Sequence, residues 1–157
     1  MEKLFLDELR EIYGAEMHQI PVLHLLKKAA ASLRMQNMLA NHLDTTRVQI
    51  NRLEEIFRML GRDPEGRQSE AVLEIVRAAE TVIESTEKGS ADRDAGLVVV
   101  AQKLERYEIT SYASLARWCR TLEYDDMLDI LEMTLHEEKE AADLLTVLAE
   151  NYIRPVS

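Results

Sequence analysis

The chain has 157 residues, a length that fits one domain, and 46% of them are apolar, enough for a substantial core. The 29 acidic residues outnumber the 19 basic ones, and the net charge of −10 argues against a nucleic-acid binder and against binding to an anionic membrane surface. With 5 Gly and 3 Pro, turn residues are too sparse for a β-sandwich or barrel. The single cysteine, Cys119, excludes an internal disulfide framework and a cysteine-rich zinc site.

The N-terminal segment lacks the layout of a signal peptide, and no uncharged run approaches the length of a membrane span. These features predict a soluble, cytoplasmic protein.

Apolar residues recur at steps of three and four along almost the whole chain, which predicts helices. Four of the predicted helices are long and one is short, with turns at 32–35 and 122–125 and a loop that begins at Gly61. In chain order the predicted helices are 4–31, 36–60, 69–87, 91–121 and 126–152.

The long helices fall into two pairs, each joined by a tight turn that makes its members antiparallel. A connection of some thirty residues, 61–90, joins the pairs and carries the short helix. Such a connection is unnecessary in an up-down-up-down arrangement but takes the chain from one end of a bundle to the other. The sequence therefore predicts an all-α, ferritin-like four-helix bundle with one crossover, forming a single domain over residues 1–157.

Charged residues lie inside the apolar stripes of three of these helices. Counting about 100° per residue, Glu138 falls within about 40° of Leu131, Thr134 and Leu145. Glu108 and Glu105 lie on the stripe of the third long helix, and Glu16 lies on that of the first. The second long helix places no carboxylate on its stripe but carries His42, Thr46 and Gln49 there.

Folding each pair about its turn puts Glu108 beside Glu138 and Glu16 beside residues 49–51, and all of these groups share one layer if the two pairs match in level. Carboxylates buried together repel by about 4 kcal/mol at 4 Å and an effective dielectric of 20, so protons, basic side chains or metal must neutralise them. A carboxylate-rich site with at most one imidazole suits iron or manganese better than zinc or copper. Taken singly, each acid could instead reach solvent or a water pocket.

Several stretches resemble the bacterial YciE/YciF family over almost the whole chain, from about residue 3 to 150. The stretches that carry the resemblance are Leu9–Glu16, His42–Thr46, Val82–Lys88, Gln102–Ile109 and Thr134–Lys139. The resemblance implies a ferritin-like protein linked to stress responses, dimeric, with no settled biochemical activity.

The resemblance extends to particular positions. Five acids match acidic positions of the family, and three second-helix residues match its pattern there: Glu16, Glu105, Glu108, Glu137 and Glu138, with His42, Thr46 and Gln49. The family usually has a glutamate where this chain has Thr45 and an acid where it has Met133. Loss of a ligand at Thr45 would leave a weak second metal position, or a mononuclear or empty site.

The residues and the resemblance together predict a metal-binding protein with iron or manganese, possibly two ions, and with dioxygen or peroxide as reactants. In this hypothesis Glu108 and Glu138 bridge or cap the metal and Glu16 and Glu105 are terminal ligands. His42 and Gln49 are weaker ligands or support the others, and Glu137 is a further acidic candidate. We also expect Tyr13 and Tyr112, one turn from Glu16 and Glu108, to hydrogen-bond the carboxylates.

Two other hypotheses fit the same residues. One is a non-catalytic helical dimer, an interaction protein whose metal site has degenerated. The other is a small iron-storage shell of many subunits. The residues identify no substrate, so both an enzyme and a non-catalytic protein remain open at this stage.

Overall fold

The computed structural model describes residues 1–153, which form five helices and no strand. The helices are α1 (Glu2–Ala29), α2 (Leu33–Met59), α3 (Glu70–Ser85), α4 (Ala91–Leu122) and α5 (Asp125–Ile153). The prediction of an all-helical chain is confirmed. Within this part of the chain no helix is long and apolar enough to cross a membrane.

Serine side chains cap the N-termini of three of the helices. The hydroxyls of Ser32, Ser69 and Ser90 accept the backbone N–H three residues later, which satisfies one of the unpaired donors of a helix N-terminus. Because Ser32 caps α2, the predicted turn over 32–35 is wrong: the helix begins at Leu33. At the other tight turn Glu123 adopts a left-handed conformation with φ of 58°, which ends α4.

The four long helices pack around one apolar core, α1 against α2 and α4, and α5 against α4 and α2, while α3 covers α4 and α1. The contacts between α1 and α4 show that these two helices are antiparallel. Tyr124, just beyond α4, donates to Glu2, Tyr112 of α4 donates to Glu16, and Asp94 near the start of α4 accepts from the backbone of Ala31. Since α1 is antiparallel to both α2 and α4, α2 and α4 run in the same direction. The connection between them therefore carries the chain back along the length of α2.

Asp94 ties the start of α4 to the turn between α1 and α2. It is 1% exposed, and its carboxylate accepts the backbone N–H groups of Ala31 and Ser32 at 2.6 and 2.8 Å. The hydroxyl of Tyr152 donates to the same carboxylate at 3.1 Å. One buried acid thus joins the ends of four helices.

The loop after α2 packs closely on α1. The backbone N–H of Arg67 donates to the carbonyl of Arg10 at 2.9 Å. A Cβ added at Gly14 would lie 2.1 Å from the carbonyl oxygen of Arg67, so only glycine permits this approach.

Candidate metal centre

Polar side chains from all four long helices meet in the middle of the core. They come from α1 (Glu16 and Gln19), α2 (His42 and Gln49), α4 (Glu105 and Glu108) and α5 (Glu138). The four carboxylates are at most 1% exposed, as the helical count predicts for acids on an apolar stripe.

Four of these residues approach one another closely enough to share an ion. His42, Glu105, Glu108 and Glu138 each offer one ligand atom, and these atoms all lie within 4.8 Å of one another. The imidazole Nδ1 of His42 is 2.9 Å from Oε1 of Glu105, and its Nε2 is 4.0 Å from Oε2 of Glu108. We call these four residues the His/Glu cluster.

Glu16 lies beside the cluster rather than within it. Its Oε1 accepts the hydroxyl of Tyr112 at 3.0 Å, and the nearby carboxyl group of Glu108 influences its ionisation. The expected bond from Tyr112 to a carboxylate is therefore present. The equivalent expectation for Tyr13 is wrong, since its hydroxyl donates to Glu54 of α2 at 3.0 Å.

Two amide side chains orient the cluster carboxylates. The Nε2 of Gln49 donates to Oε1 of Glu138 at 2.5 Å, and that of Gln19 donates to Oε1 of Glu108. Both glutamines are fully buried. Gln19 was absent from the sequence-based site, although it follows Glu16 by three residues and so shares its helix face.

Many polar atoms of this region have no hydrogen-bond partner. They are Oε2 of Glu16, Glu108 and Glu138, both carboxylate oxygens of Glu105, Nε2 of His42, and the amide oxygens of Gln19 and Gln49. A buried oxygen without a hydrogen-bond donor lowers the stability of the fold by about 1–3 kcal/mol. So many such atoms in one place indicate that a further group binds to them.

Burial and mutual repulsion shift the ionisation of the carboxyls. Burial, with the charge of Glu138 next, raises the pKa of Glu108 well above its usual value, and burial also raises that of Glu105. Burial opposes ionisation of Glu138 too, but the neighbouring carboxyl groups of Glu105 and Glu108, together with the hydrogen bond from Gln49, outweigh it and hold that pKa below the usual value. The direction of these shifts favours protons on the two α4 acids when no metal is bound.

Glu137, the remaining acid in the sequence-based site, lies away from the cluster. Its two oxygens pair with the guanidinium of Arg52 at 2.5 and 3.0 Å on the half-exposed side of α5. Arg52 also donates to the hydroxyl of Thr134 at 3.2 Å. The structure thus brings together the other six predicted site residues and directs Glu137 toward α2.

The arrangement defines an all-helical protein with a buried cluster of carboxylates and one imidazole. A family described as a domain of unknown function, DUF892, matches residues 1–155 of the chain. Protein YciF of Escherichia coli strain K12 is 34% identical over 154 residues, which cover 98% of this chain and 92% of that protein. The chain therefore belongs to the DUF892 family, and its resemblance to the YciE/YciF proteins is confirmed.

Solved structures give the same relationship. The crystal structure of the E. coli stress protein YciF matches with a TM-score of 0.91 at 34% identity, over 97% of this chain and 96% of that one. YcfI from Rhodopseudomonas palustris, provisionally described as a structural protein, matches with a TM-score of 0.89 at 36% identity, over 93% and 92%. A protein from Xanthomonas campestris pv. campestris shares the fold alone, with a TM-score of 0.73 at 18% identity, over 96% and 91%.

Proposed function

We propose that this chain is a ferritin-like metal-binding protein that holds iron or manganese, as one or two ions, and acts in stress protection. The observation that carries the proposal is the His/Glu cluster, whose buried ligand atoms converge within 4.8 Å while most of its carboxylate oxygens lack a donor. The relative YciF is described as a stress protein, which supports the physiological role.

The helix arrangement supports the ferritin-like part of this proposal. The members of α1–α2 and α4–α5 are joined by short turns, and α1 lies antiparallel to α4, so the connection must cross between the two ends. A four-helix bundle with one crossover and carboxylates projecting inward from its helices is the ferritin-like arrangement.

The donor atoms fit the proposed metals. Carboxylate oxygens and an imidazole nitrogen suit iron and manganese, whereas a site without thiolates and with one imidazole suits zinc or copper less well. Glu105, Glu108, Glu138 and His42 would hold the metal, with Glu16 as the adjacent fifth donor. A bound iron or manganese ion would supply redox chemistry toward dioxygen or peroxide.

The surrounding residues would hold the ligands in place. Tyr112 donates to Glu16, and Gln19 and Gln49 donate to Glu108 and Glu138, so each of these carboxylates keeps one oxygen engaged and one free. Hydrogen bonds of this kind fix the orientation of metal ligands. The elevated pKa of Glu105 and Glu108 means that metal must displace protons from the α4 acids when it binds.

Metal content tests the proposal. The protein is purified without chelator from cells supplied with iron and manganese, and its metals are measured by elemental analysis beside a Glu105→Gln/Glu108→Gln variant. We expect about one or two ions of iron or manganese per chain in the wild type and loss of that metal in the variant. A wild type without bound metal, before and after anaerobic loading with Fe(II) or Mn(II), would contradict it.

A second candidate is the non-catalytic helical protein. It is favoured by the raised pKa of Glu105 and Glu108, because protons on these two acids would lessen the repulsion around Glu138 without metal. The description of YcfI as a structural protein points the same way. This candidate predicts identical metal content in the wild type and the double variant.

We also propose a homodimer and a cytoplasmic location. Met133 and Val147 are each more than half exposed, and their spacing of 14 residues puts them on one face of α5, an apolar surface that suits a second copy. Light scattering after size exclusion separates this dimer from a monomer or a storage shell. Cys119, a buried free thiol, is compatible with a reducing compartment.

A further inference from the structure

A cavity of about 260 Å³ lies between α2 and α5 with its floor on α4. Apolar side chains form most of its wall, among them Leu39, Ala101, Ala141 and Leu145. Its rim carries Leu144 and Glu140, which are exposed to solvent.

The cavity occupies the layer of side chains next to the His/Glu cluster. Ala101 precedes Glu105 by four residues, Leu39 precedes His42 by three, and Ala141 follows Glu138 by three, so each shares a helix face with a cluster member. Two of the three helices thus present alanine in this layer, and the missing side-chain volume leaves the space open.

His42 is common to the cavity and the cluster. Its side chain is 11% exposed, whereas those of Glu105 and Glu108 are fully buried, and it lines the cavity while its imidazole contacts Glu105. Of the four cluster residues, His42 alone lines this cavity. A molecule inside the cavity therefore reaches the imidazole first.

The charges around the cavity select among possible occupants. The two charged residues that line it, Glu137 and Glu140, are both acidic, and neither Lys nor Arg is part of its wall. Glu137 is paired with Arg52, and Glu140 lies 3.0 Å from His136. Anions are therefore disfavoured, and the apolar surface that makes up most of the wall favours a small uncharged molecule.

We propose that the α2–α5 cavity admits small uncharged molecules of the dioxygen class from solvent to the His42 side of the cluster. The role of such a molecule at a metal rests on the function proposed above. Occupancy of the cavity itself does not, because an apolar cavity takes up xenon or other apolar probes without any metal.

The first experiment uses the metal-free protein. Crystals pressurised with xenon are expected to show xenon against Ala101 and Leu145 in the wild type, and to lose it in an Ala101→Leu variant that fills the cavity. If that variant does not fold, Ala141→Leu at the half-buried edge serves the same purpose. Ala142→Leu, at an equally half-buried position outside the cavity wall, is the matched control and should keep the xenon.

The second experiment uses protein loaded anaerobically with Fe(II) and nitric oxide as an uncharged diatomic probe. Filling the cavity should slow nitric oxide association by a factor of about ten or more while the amount of bound iron stays unchanged. Ala142→Leu should associate at the wild-type rate.

The outcomes separate the two proposals. A wild type without xenon, or variants that bind nitric oxide at the wild-type rate, overturns the inference even if iron is bound. Slower Fe(II) uptake in the filled variants, with no xenon in the wild type, also overturns it, because the cavity would then be a route for cations. Xenon binding in a protein that never takes up metal overturns the proposed function but leaves the cavity as a binding site.

Discussion

Glu138 and Glu140 lie two residues apart on α5 but in opposite environments. Glu138 is 1% exposed and belongs to the cluster, whereas the side chain of Glu140 is 66% exposed beside His136. This contrast comes from the helical repeat, since two residues rotate the side chain by about 200°. The pair therefore provides a matched test of ligand identity.

We expect Glu138→Gln to raise the dissociation constant for Fe(II) or Mn(II) at least tenfold, a loss of about 1.4 kcal/mol or more, because it removes an anionic ligand. Glu140→Gln should leave metal affinity unchanged and alter the free energy of unfolding by no more than about 0.5 kcal/mol. Anaerobic titration calorimetry measures the affinities and urea unfolding the stabilities. Equal loss of affinity in both variants would show that Glu138 is not a ligand.

The ionisation of Glu16 predicts how the stability of the metal-free protein depends on pH. Burial raises the pKa of Glu16 to about 7, against the hydrogen bond from Tyr112, which lowers it. Because the folded-state pKa is the higher one, the proton on Glu16 stabilises the fold fully at pH values below the unfolded value of 4.5. That contribution is lost as the pH rises to about 7 and beyond.

Compared with a Glu16→Gln variant, the wild type in chelator should therefore lose about 3 kcal/mol of unfolding free energy between about pH 4.5 and 7.5. The glutamine keeps the shape but has no proton to lose, so the difference between the two proteins reports Glu16 together with its coupling to Glu108 and Glu138. Urea unfolding across the pH range measures it. Parallel curves would mean that Glu16 titrates at its ordinary value.

At the scale of the elements, the docking of the loop after α2 onto α1 depends on the absence of a side chain at Gly14. In an open helix, Gly→Ala stabilises by about 1 kcal/mol, because glycine loses more backbone entropy on folding. At Gly14 the added methyl group would instead meet the backbone of Arg67, which cannot move away without breaking its bond to Arg10.

We expect Gly14→Ala to destabilise the protein by about 1–3 kcal/mol, the usual cost of overpacking, and to speed tryptic cleavage after Arg62 and Arg67. Gly96→Ala in α4 is the matched control. There the added atom would lie 2.6 Å from a methyl carbon of the half-buried Val82, a side-chain contact instead of a backbone one, so the cost should be smaller than at Gly14. Thermal unfolding and timed proteolysis compare the two, and a Gly14→Ala protein as stable and as resistant as wild type would contradict the prediction.

At the scale of the whole molecule, metal binding and folding are linked. If the cluster binds metal in the folded state alone, free metal at a hundredfold excess over its dissociation constant adds about 2.7 kcal/mol. For a chain of this length that corresponds to a rise in melting temperature of roughly 5–10 °C. Anaerobic thermal melts with and without Fe(II) or Mn(II) measure the shift.

The net charge of −10 requires a control, because any divalent cation reduces repulsion across so acidic a surface. Mg²⁺ at the same concentration reports that general effect, and Glu138→Gln should retain it while losing the specific shift. Curves that coincide for Mg²⁺, Fe(II) and Mn(II) would argue against a selective site.

Much of the site could be predicted from the sequence, because the burial of these residues depends on their neighbours along the same helix. Burial of a residue on a long helix follows from its position in a repeat of 3.6 residues, so Glu16, Glu105, Glu108 and Glu138 stand out as acids on apolar stripes. Gln19 obeys the same repeat but was missed because Glu16 already marks that face of its helix, whereas the stripe that carries Gln49 has no carboxylate. Glu137, at the stripe's edge, entered the site by resemblance alone.

By itself, then, the sequence determined the all-helical architecture, the approximate helix limits and the inward direction of the four acids, since each depends on neighbours within a few turns. The tertiary structure alone decided which side chains meet. Tyr13 donates a hydrogen bond to Glu54 rather than to Glu16, Arg52 forms an ion pair with Glu137, and the alanines near His42 leave a cavity. These contacts depend on the rotation and axial offset of one helix against another, which are set by packing across the core and leave no periodic signature in the chain.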